Sequence, residues 1–494
     1  MKTLLLFFIG IITAVTYAQD GTLDTSFGNN GYAITDFFGG TDRGSAIAVQ
    51  EDGKIVVFGF VDVGSTFSYG LLRHLPNGQL DTSFGTDGFV ITPAGDNFRE
   101  YFSSLHIQND QKIIASTTFI DNGNLDYMLM RYMPDGDVDP SFGVNGIVKT
   151  HLGSDYLAST NLLSNGKIMA GGSATINGTD NHIFLARYLS NGELDPSFGN
   201  GGTIAEFINN ETLKVFGIAS QDDGKILVPY FTIENFEEKF KLKQYLSNGD
   251  PDNSFGSGGI VETNIDGEIF TASMTLQQDG KILQSYRARG QQPINIRGLL
   301  SDGILDTSFA TDGILEIYND RMTVLKILVD DDSNLLVFGP TLTFFEIDDN
   351  LTYRFKPDGT LDNSFGNNGR VYLPFEGGDI AFQENGKILI AGNTFFYSGS
   401  GENFAVARLN NGPLSVPEFE QIKTTIYPNP SNGVFTIESN FHSEKEAYQI
   451  TDITGKTIAS GELGDKQTQI DLSSAQSGTY FLKTSYGLFR LLKN

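Results

Sequence analysis

One motif, Asp-x-Ser-Phe-Gly, recurs along the 494-residue chain at nearly constant intervals and constrains the fold more than any other feature. A fixed period indicates a repeat architecture, in which each copy forms one supersecondary unit and neighbouring copies bury a shared core. The sixth copy departs from the pattern because Ala310 stands where the other copies have glycine. The motif phenylalanines are Phe27, Phe84, Phe142, Phe198, Phe255, Phe309 and Phe365.

A single copy contains four segments with the composition of β-strands. These are residues 44–50, 54–60, 68–75 and 89–92, and Asp52-Gly53 between the first two is a hairpin signal. No stretch of ten residues has the apolar periodicity of a helix. Four antiparallel strands per copy are typical of one β-propeller blade, so the sequence predicts an all-β propeller.

Two further landmarks keep step with the motif. An Asp/Asn-Gly-Lys turn is centred on Gly53, Gly166, Gly224, Gly280 and Gly386, and it degenerates around Gln111 and Ser333. A basic residue recurs at Arg73, Arg131, Arg187, Arg297, Arg354 and Arg408, with Gln244 in the remaining copy. We expect each arginine to pair with the motif aspartate or with backbone carbonyls of the adjoining strand.

The two ends of the repeat region predict how the ring closes. The region opens with a lone strand at 32–37 and ends with three strands at 378–383, 387–391 and 404–409. The lone strand can complete the last blade, giving seven blades and no exposed strand edge. An open β-solenoid, the alternative, needs no such split unit.

The repeats resemble the delta-60 repeat family, a predicted β-propeller repeat. The resemblance covers residues 20–412, recurs in register in all seven copies and places the propeller at 19–412. It implies a fold and no known activity.

The N-terminus has the pattern of a cleavable signal peptide over residues 1–18. Lys2 precedes an apolar run from Leu4 to Val15, and Ala18 is the small residue expected before a cleavage site that leaves Gln19 first. An uncleaved membrane anchor is the alternative, although twelve apolar residues are fewer than the roughly 20 that span a bilayer. No other segment is apolar and long enough to span one.

Residues 413–423 predict a linker, and residues 424–494 predict a small β-sandwich of short alternating strands. This last segment resembles the type A sorting domain of the type IX secretion system of Bacteroidetes. The resemblance implies a partnership with that secretion machinery and export to the cell surface or medium. A carbohydrate-binding or structural sandwich is the alternative. The matching residues are Tyr427, Pro428, Asn429, Pro430, Gly433, Asp452, Gly455, Leu472, Gly478 and Tyr480.

Composition excludes several classes of function. The net charge of -27 opposes binding to nucleic acid or anionic membranes. The absence of cysteine excludes disulfides, thiolate zinc sites and cysteine nucleophiles. No zinc-hydrolase, nucleophile-elbow or P-loop motif occurs. Paired carboxylates for glycoside cleavage stay possible, because 60 acidic residues offer many pairs.

The repeated aspartates could be interpreted as catalytic, but a residue that recurs once in every blade is more typical of a structural role within the blade. Aspartate at this position commonly accepts backbone N–H groups two residues on and so fixes a turn. Ca²⁺ is an alternative at acidic loops such as 121–124 and 330–332, which lack the spacing of an EF-hand. No other cofactor is expected.

Connections that vary between copies should lie on the propeller face opposite the constant turns, and specificity can be added there without harming the fold. Exposed aromatic rings beside polar groups suit stacking on sugars. The sequence therefore predicts an exported binding or scaffold protein without enzymatic activity, the alternatives being a polysaccharide hydrolase or lyase and a structural or adhesion protein. The candidate ligand-binding residues are Phe98, Arg99, Tyr101, His151, Tyr156, Tyr318, Arg321, Phe395, Phe396 and Tyr397.

Overall fold

The computed structural model divides the chain into an N-terminal body, residues 1–413, and a C-terminal body, residues 414–494. It describes residues 19–494 except 65, 95–102, 122, 152, 177–179, 210–211, 235–236, 266–268, 289–292, 319–321, 343–346, 395–400, 412–424, 439–445, 464–466 and 485–486. Every regular element of the described residues is a β-strand. Within those ranges, no helix has the length and apolarity needed to cross a membrane.

The N-terminal body begins with β1 (Tyr32–Thr35) and continues as successive antiparallel sheets, which we number in chain order. Sheet 1 is β2 (Arg43–Val49), β3 (Ile55–Asp62), β4 (Phe67–His74) and β5 (Phe89–Pro93). Sheet 2 is β6 (Ser103–Ile107), β7 (Ile113–Asp121), β8 (Asn124–Tyr132) and β9 (Ile147–Thr150). Sheet 3 is β10 (Ser154–Leu162), β11 (Ile168–Ile176), β12 (Asp180–Tyr188) and β13 (Thr203–Phe207).

The next sheets repeat this order. Sheet 4 is β14 (Leu213–Val215), β15 (Ala219–Ser220), β16 (Ile226–Glu234), β17 (Glu237–Tyr245) and β18 (Ile260–Ile265), with β14 and β15 both paired to β16. Sheet 5 is β19 (Ile269–Leu276), β20 (Ile282–Ala288), β21 (Ile294–Leu299) and β22 (Ile314–Ile317). Sheet 6 is β23 (Lys326–Val329), β24 (Leu335–Leu342), β25 (Ile347–Phe355) and β26 (Arg370–Leu373).

Sheet 7 is split between the two ends of the body, as the sequence predicts. Its strands are β27 (Glu376–Phe382), β28 (Ile388–Asn393), β29 (Phe404–Leu409) and the N-terminal β1. In the β1–β29 pair, Tyr32 lies opposite Ala407 and Thr35 opposite Phe404. The Gly366 amide of sheet 6 donates to the Asp20 carbonyl, so the segment before β1 also joins the turns.

Each sheet packs face to face on its neighbours in chain order, and β2 of sheet 1 lies against β27 of sheet 7. The second strand of a sheet is covered on both faces, and in sheet 1 this strand is a nearly continuous apolar run: β3 (IVVFGFVD) is buried over seven of its eight residues. The tight turns use glycine where the backbone is left-handed, as at Gly53 with φ 78°.

The C-terminal body contains two sheets around one apolar core. The first has the order β30 (Thr425–Tyr427), β31 (Val434–Glu438) and β34 (Gln467–Asp471). The second has the order β33 (Thr457–Leu463), β32 (Glu446–Asp452), β35 (Gly478–Thr484) and β36 (Gly487–Lys493). Both sheets contribute to the core, with Phe435 and Ile470 from one, and Ile450 and Leu482 from the other.

Candidate functional site

The motif aspartate and the repeated arginine form a buried ion pair over the motif phenylalanine. In sheet 1, Arg73 Nε donates to Asp81 Oδ2 over 2.9 Å, and its guanidinium lies 4.6 Å from the centre of the Phe84 ring. Arg73 also donates to the Pro134 carbonyl of sheet 2, and Asp81 Oδ1 accepts the Ser83 amide. Each arginine therefore closes its own turn and ties its sheet to the next. The same arrangement joins Arg131 to Asp139, Arg187 to Asp195, Arg354 to Asp362 and Arg408 to Asp24.

Sheets 4 and 5 lack this arginine, and the expectation for Arg297 is wrong. In sheets 1, 2, 3 and 6 the paired arginine precedes its aspartate by eight residues, but Arg297 precedes Asp306 by nine. Gly298 occupies the slot, because Asp306 donates its amide to the Gly298 carbonyl as Asp81 does to that of Arg73. Consecutive strand residues point to opposite faces, so Arg297 faces sheet 4 instead.

Hydrogen bonds and nearby cations keep the motif aspartates ionised. Burial alone would raise the pKa of Asp24, but hydrogen bonds from Lys387 and Ser26 and the charge of Arg408 outweigh it and lower the pKa to about 2. In sheet 5 the Lys281 ammonium, 2.8 Å from Asp306, acts first, and with Ser308 it lowers the pKa of Asp306 to about 2. Carboxylates held in this way hold turns and do not exchange protons near neutral pH.

The acidic loop at 330–332, one of the two considered for Ca²⁺, forms a capped turn. Asp330 Oδ1 accepts the amides of Asp332 and Asn334, at 3.1 and 2.8 Å, so the carboxylate caps its own loop. The Asp121 side chain lies outside the described residues. Across the described ranges, no three acidic or histidine side chains converge as a metal site would require.

Most of the predicted ligand-binding residues lie outside the described residues. They are Phe98, Arg99, Tyr101, Arg321, Phe395, Phe396 and Tyr397. Of the remainder, Tyr318 is 70% exposed and donates its hydroxyl to Glu316 over 3.0 Å, while Tyr156 is 46% exposed. Tyr156 lies in β10 of sheet 3 and Tyr318 directly follows β22 of sheet 5, so the two rings belong to different sheets.

His151 is the predicted residue with the most defined surroundings. Its Nδ1 contacts the carboxylate of Asp126, which lies near the start of β8 and has a side chain only 4% exposed. The His151 side chain is 57% exposed, so the buried carboxylate orients an imidazole that is in part open to solvent. Both residues lie at the strand ends opposite the Asp-Gly-Lys turns. The sequence pattern gives no indication of Asp126, because no spacing signal links an aspartate near the start of a strand to a histidine 25 residues later.

A second polar arrangement, also missed from sequence, links the innermost strands. In three copies the residue six before the Asp/Asn of the turn accepts a backbone amide at the inner edge of the next sheet. Two of these residues are Ser159, which accepts from Ile218 at 2.7 Å, and Ser273, which accepts from Ile327 at 3.2 Å. Asp379 accepts from Ile47 at 3.1 Å and also binds the Lys326 ammonium at 2.6 Å. Aligning the copies on their turns would have exposed this position.

The sorting-motif residues fold into turns and contacts of the C-terminal body. Asn429 donates to the Arg490 carbonyl over 2.7 Å and accepts the Leu492 amide over 2.8 Å, which fastens 427–430 to β36. Asp452 caps the turn at Gly455 by accepting the Thr454 and Lys456 amides. The remaining motif residues include Gly433, packed against Ser473, and Tyr480, whose hydroxyl donates to the Gln476 carbonyl.

Family comparison agrees with both parts of this geometry. Residues 425–489 match the secretion system C-terminal sorting domain, and residues 50–84, 108–142, 163–198, 334–365 and 383–412 match the β-propeller "Domain of unknown function (DUF5122)". The chain is a β-propeller repeat protein with a type IX secretion sorting domain. This confirms both resemblances, and the sorting domain marks this β-propeller repeat protein for export to the cell surface or medium.

Solved structures similar to this β-propeller repeat protein include enzymes and a secretion component. A virginiamycin B lyase from Staphylococcus aureus is 12% identical, with a TM-score of 0.42 over 76% of this chain and 98% of that one. The polysaccharide lyase Uly1 is 11% identical, with a TM-score of 0.48 over 80% and 98%. PorZ, a surface component of the type IX secretion system of Porphyromonas gingivalis, is 13% identical, with a TM-score of 0.33 over 91% and 69%.

At these levels of identity and superposition, the activities of those proteins do not transfer to this chain. No curated protein matches the sequence.

Proposed function

We propose that this protein is an exported, non-enzymatic binding propeller that recognises an extracellular glycan through the face opposite its Asp-Gly-Lys turns. The observation that carries the proposal is the His151–Asp126 pair, in which a buried carboxylate orients an exposed imidazole. A buried carboxylate is costly unless it is bonded, and this one is used to hold a side chain that faces solvent.

The proposed platform is a closed ring of seven blades, formed by sheets 1 to 7. The pairing of β1 with β29 and the contact of β2 with β27 support this closure. The expected cleavage makes Gln19 the first residue of the mature chain. The Gln19 side-chain amide donates to the Gly366 carbonyl over 2.8 Å, so the segment that leads into β1 is kept after cleavage. The C-terminal body is a β-sandwich that the secretion machinery reads.

Glycan is the favoured ligand because of the chemistry on this face. Imidazole nitrogens exchange hydrogen bonds with sugar hydroxyls, and exposed rings such as Tyr156 and Tyr318 can stack on pyranose faces. The motif carboxylates are already bound to arginine, lysine and serine, which favours binding over acid–base chemistry.

The test is binding of the mature chain, residues 19–494, to an immobilised panel of polysaccharides with and without calcium. We expect saturable binding to one glycan class, weakened at least tenfold by His151→Ala and unchanged by Asn109→Ala, an exposed residue beside a turn on the other face. Binding to no glycan, or equal weakening by both variants, would overturn the proposal. Release of glycan fragments would show the enzymatic alternative instead.

A further inference from the structure

Arg297 is a buried cation that makes no ion pair with a carboxylate of the described residues. Its residue exposure is 4%, and it lies on β21 facing sheet 4. Its Nε donates to Gln284 Oε1 over 2.8 Å, its Nη1 donates to Thr263 Oγ1, and its guanidinium lies 5.5 Å from the centre of the Phe240 ring. Burial lowers the pKa of Arg297 to about 10, so the side chain is still charged at neutral pH.

The preceding interface shows what normally stands opposite this position. Lys243 precedes Asp252 by nine residues, as Arg297 precedes Asp306, and so occupies the same place in sheet 4. Its ammonium binds the carboxylate of Glu206 in sheet 3, and the Tyr245 hydroxyl donates to the same carboxylate over 2.6 Å.

Thr263 is the counterpart of Glu206, because each follows its motif phenylalanine, Phe255 or Phe198, by eight residues. The carboxylate of Glu206 thus has no equivalent at Thr263, where the side chain is two heavy atoms shorter.

Two N–H groups beside this position have no acceptor. Arg297 Nη2 and Gln284 Nε2 are both inaccessible to solvent and make no hydrogen bond to the described residues. They belong to side chains that contact each other from directly opposite positions on β20 and β21. Buried cations in proteins are paired, and a buried donor without an acceptor destabilises the folded state.

We propose that a small inorganic anion, chloride in the simplest case, binds between sheets 4 and 5 in the place of the missing carboxylate. It accepts hydrogen bonds from Arg297 Nη2 and Gln284 Nε2 and neutralises the guanidinium, as Glu206 neutralises Lys243. An exported protein meets chloride outside the cell, so this interface is complete only in a saline medium.

The experiment measures the melting temperature of the mature chain while chloride replaces gluconate, an anion too large for a buried site, at constant ionic strength. A ligand that binds only the folded state raises the melting temperature saturably. We expect such a rise for the wild type. We expect none for Arg297→Leu, which places at this position the residue that sheet 1 has there, Leu72.

Thr263→Glu is the matched gain-of-partner variant. It should melt higher than the wild type in gluconate and lose its dependence on chloride, because the carboxylate now comes from the chain. A crystal grown in bromide gives a readout independent of stability, namely an anomalous peak within hydrogen-bonding distance of Arg297 Nη2. Equal melting of the wild type in both anions, a chloride effect that persists in Arg297→Leu, or a bromide map without that peak would overturn the proposal.

Discussion

Sheets 5 and 6 both neutralise a buried motif aspartate, but sheet 5 does so with a lysine and sheet 6 with an arginine. In sheet 5 the arginine slot is Gly298, and Lys281 is the one cation of the described residues that pairs with the Asp306 carboxylate. In sheet 6 the lysine position is Asn334, and Arg354 is the one described cation that pairs with Asp362. The comparison indicates that each motif aspartate needs a cation, which can be lysine or arginine. Only arginine also bonds to the next sheet.

Sheets 1, 2, 3 and 7 carry both cations. In sheet 3, for example, Asp195 lies 2.8 Å from Lys167 and 2.7 Å from Arg187. In such a sheet the motif aspartate keeps one cation when the other is removed, whereas in sheets 4, 5 and 6 one substitution removes the cation that pairs with it in the described residues.

The largest expected effect is unfolding in acid, because protonation neutralises the motif aspartates of all sheets at once. The pKa values of Asp24, Asp139 and Asp306 are lowered to about 2, against an ordinary value of 3.8. Carboxylates with depressed folded-state pKa values stabilise the fold above pH ~4 and lose that contribution as the pH falls towards ~2. Chemical denaturation followed by circular dichroism at pH 7, 4, 3 and 2 should show a steep loss below pH 4. A midpoint that is flat over that range would contradict the role given to these pairs.

Arg354→Met should cost about 3–5 kcal/mol, since it leaves the buried carboxylate of Asp362 without a cation. Arg354 also binds Asp20, so the variant loosens the segment that leads into β1. Arg187→Met is the matched control and should cost clearly less, because Lys167 stays with Asp195. Urea titrations of both variants measure the difference, and equal losses would show that lysine does not substitute for arginine.

Opposite substitutions at the glycine position of the motif should give smaller changes in stability, with opposite signs in sheets 6 and 5. Gly366 has φ 53°, and a Cβ there would lie 2.4 Å from the Arg370 carbonyl oxygen, so Gly366→Ala should destabilise by about 2 kcal/mol. Ala310 occupies the same slot in sheet 5 with φ 47°, and Ala310→Gly should stabilise by up to ~1 kcal/mol by relieving the left-handed strain. Thermal melts of the two variants should therefore shift in opposite directions, and a shift in the same direction would refute the equivalence of the two positions.

The smallest effect should come from restoring the arginine in sheet 4. Gln244→Arg places a guanidinium beside Asp252, from where the arginines of other sheets also donate to a group of the next sheet. We expect the free energy of unfolding to rise by about 1 kcal/mol after the entropy cost of ordering the side chain. Gln244→Met, which adds no charge, is the control. A gain shared by both variants would mean that packing, and not the ion pair, limits this interface.

Much of the fold could be predicted because the relevant signals are local. The period of the Phe27 to Phe365 series, the Asp52-Gly53 type of turn and the apolar strands all lie within one copy, and repetition tests each inference several times. The error at Arg297 had the same origin. Arg297 lies one residue further from its motif aspartate than the paired arginines do. This difference is easily missed in a list of basic residues, but it places the side chain on the opposite face of the sheet.

The candidate site was less accessible. His151 was chosen because its connection varies between copies, but its partner Asp126 belongs to a hairpin whose distance from that connection depends on the packing of β8 and β9. The Lys326–Asp379 pair likewise joins strands of two different sheets, 53 residues apart.

The amino-acid sequence by itself determined the repeat, the strand order within each copy, the type IX sorting domain and hence the export of the protein, because backbone turns and hydrophobic periodicity act over a few residues. Only the tertiary structure decided which charges meet. Ion pairs form across interfaces between sheets, where one face of a strand meets the next copy, and a shift of one residue exchanges those faces. That is why Gly298 replaces an arginine and why Arg297 is buried opposite Thr263.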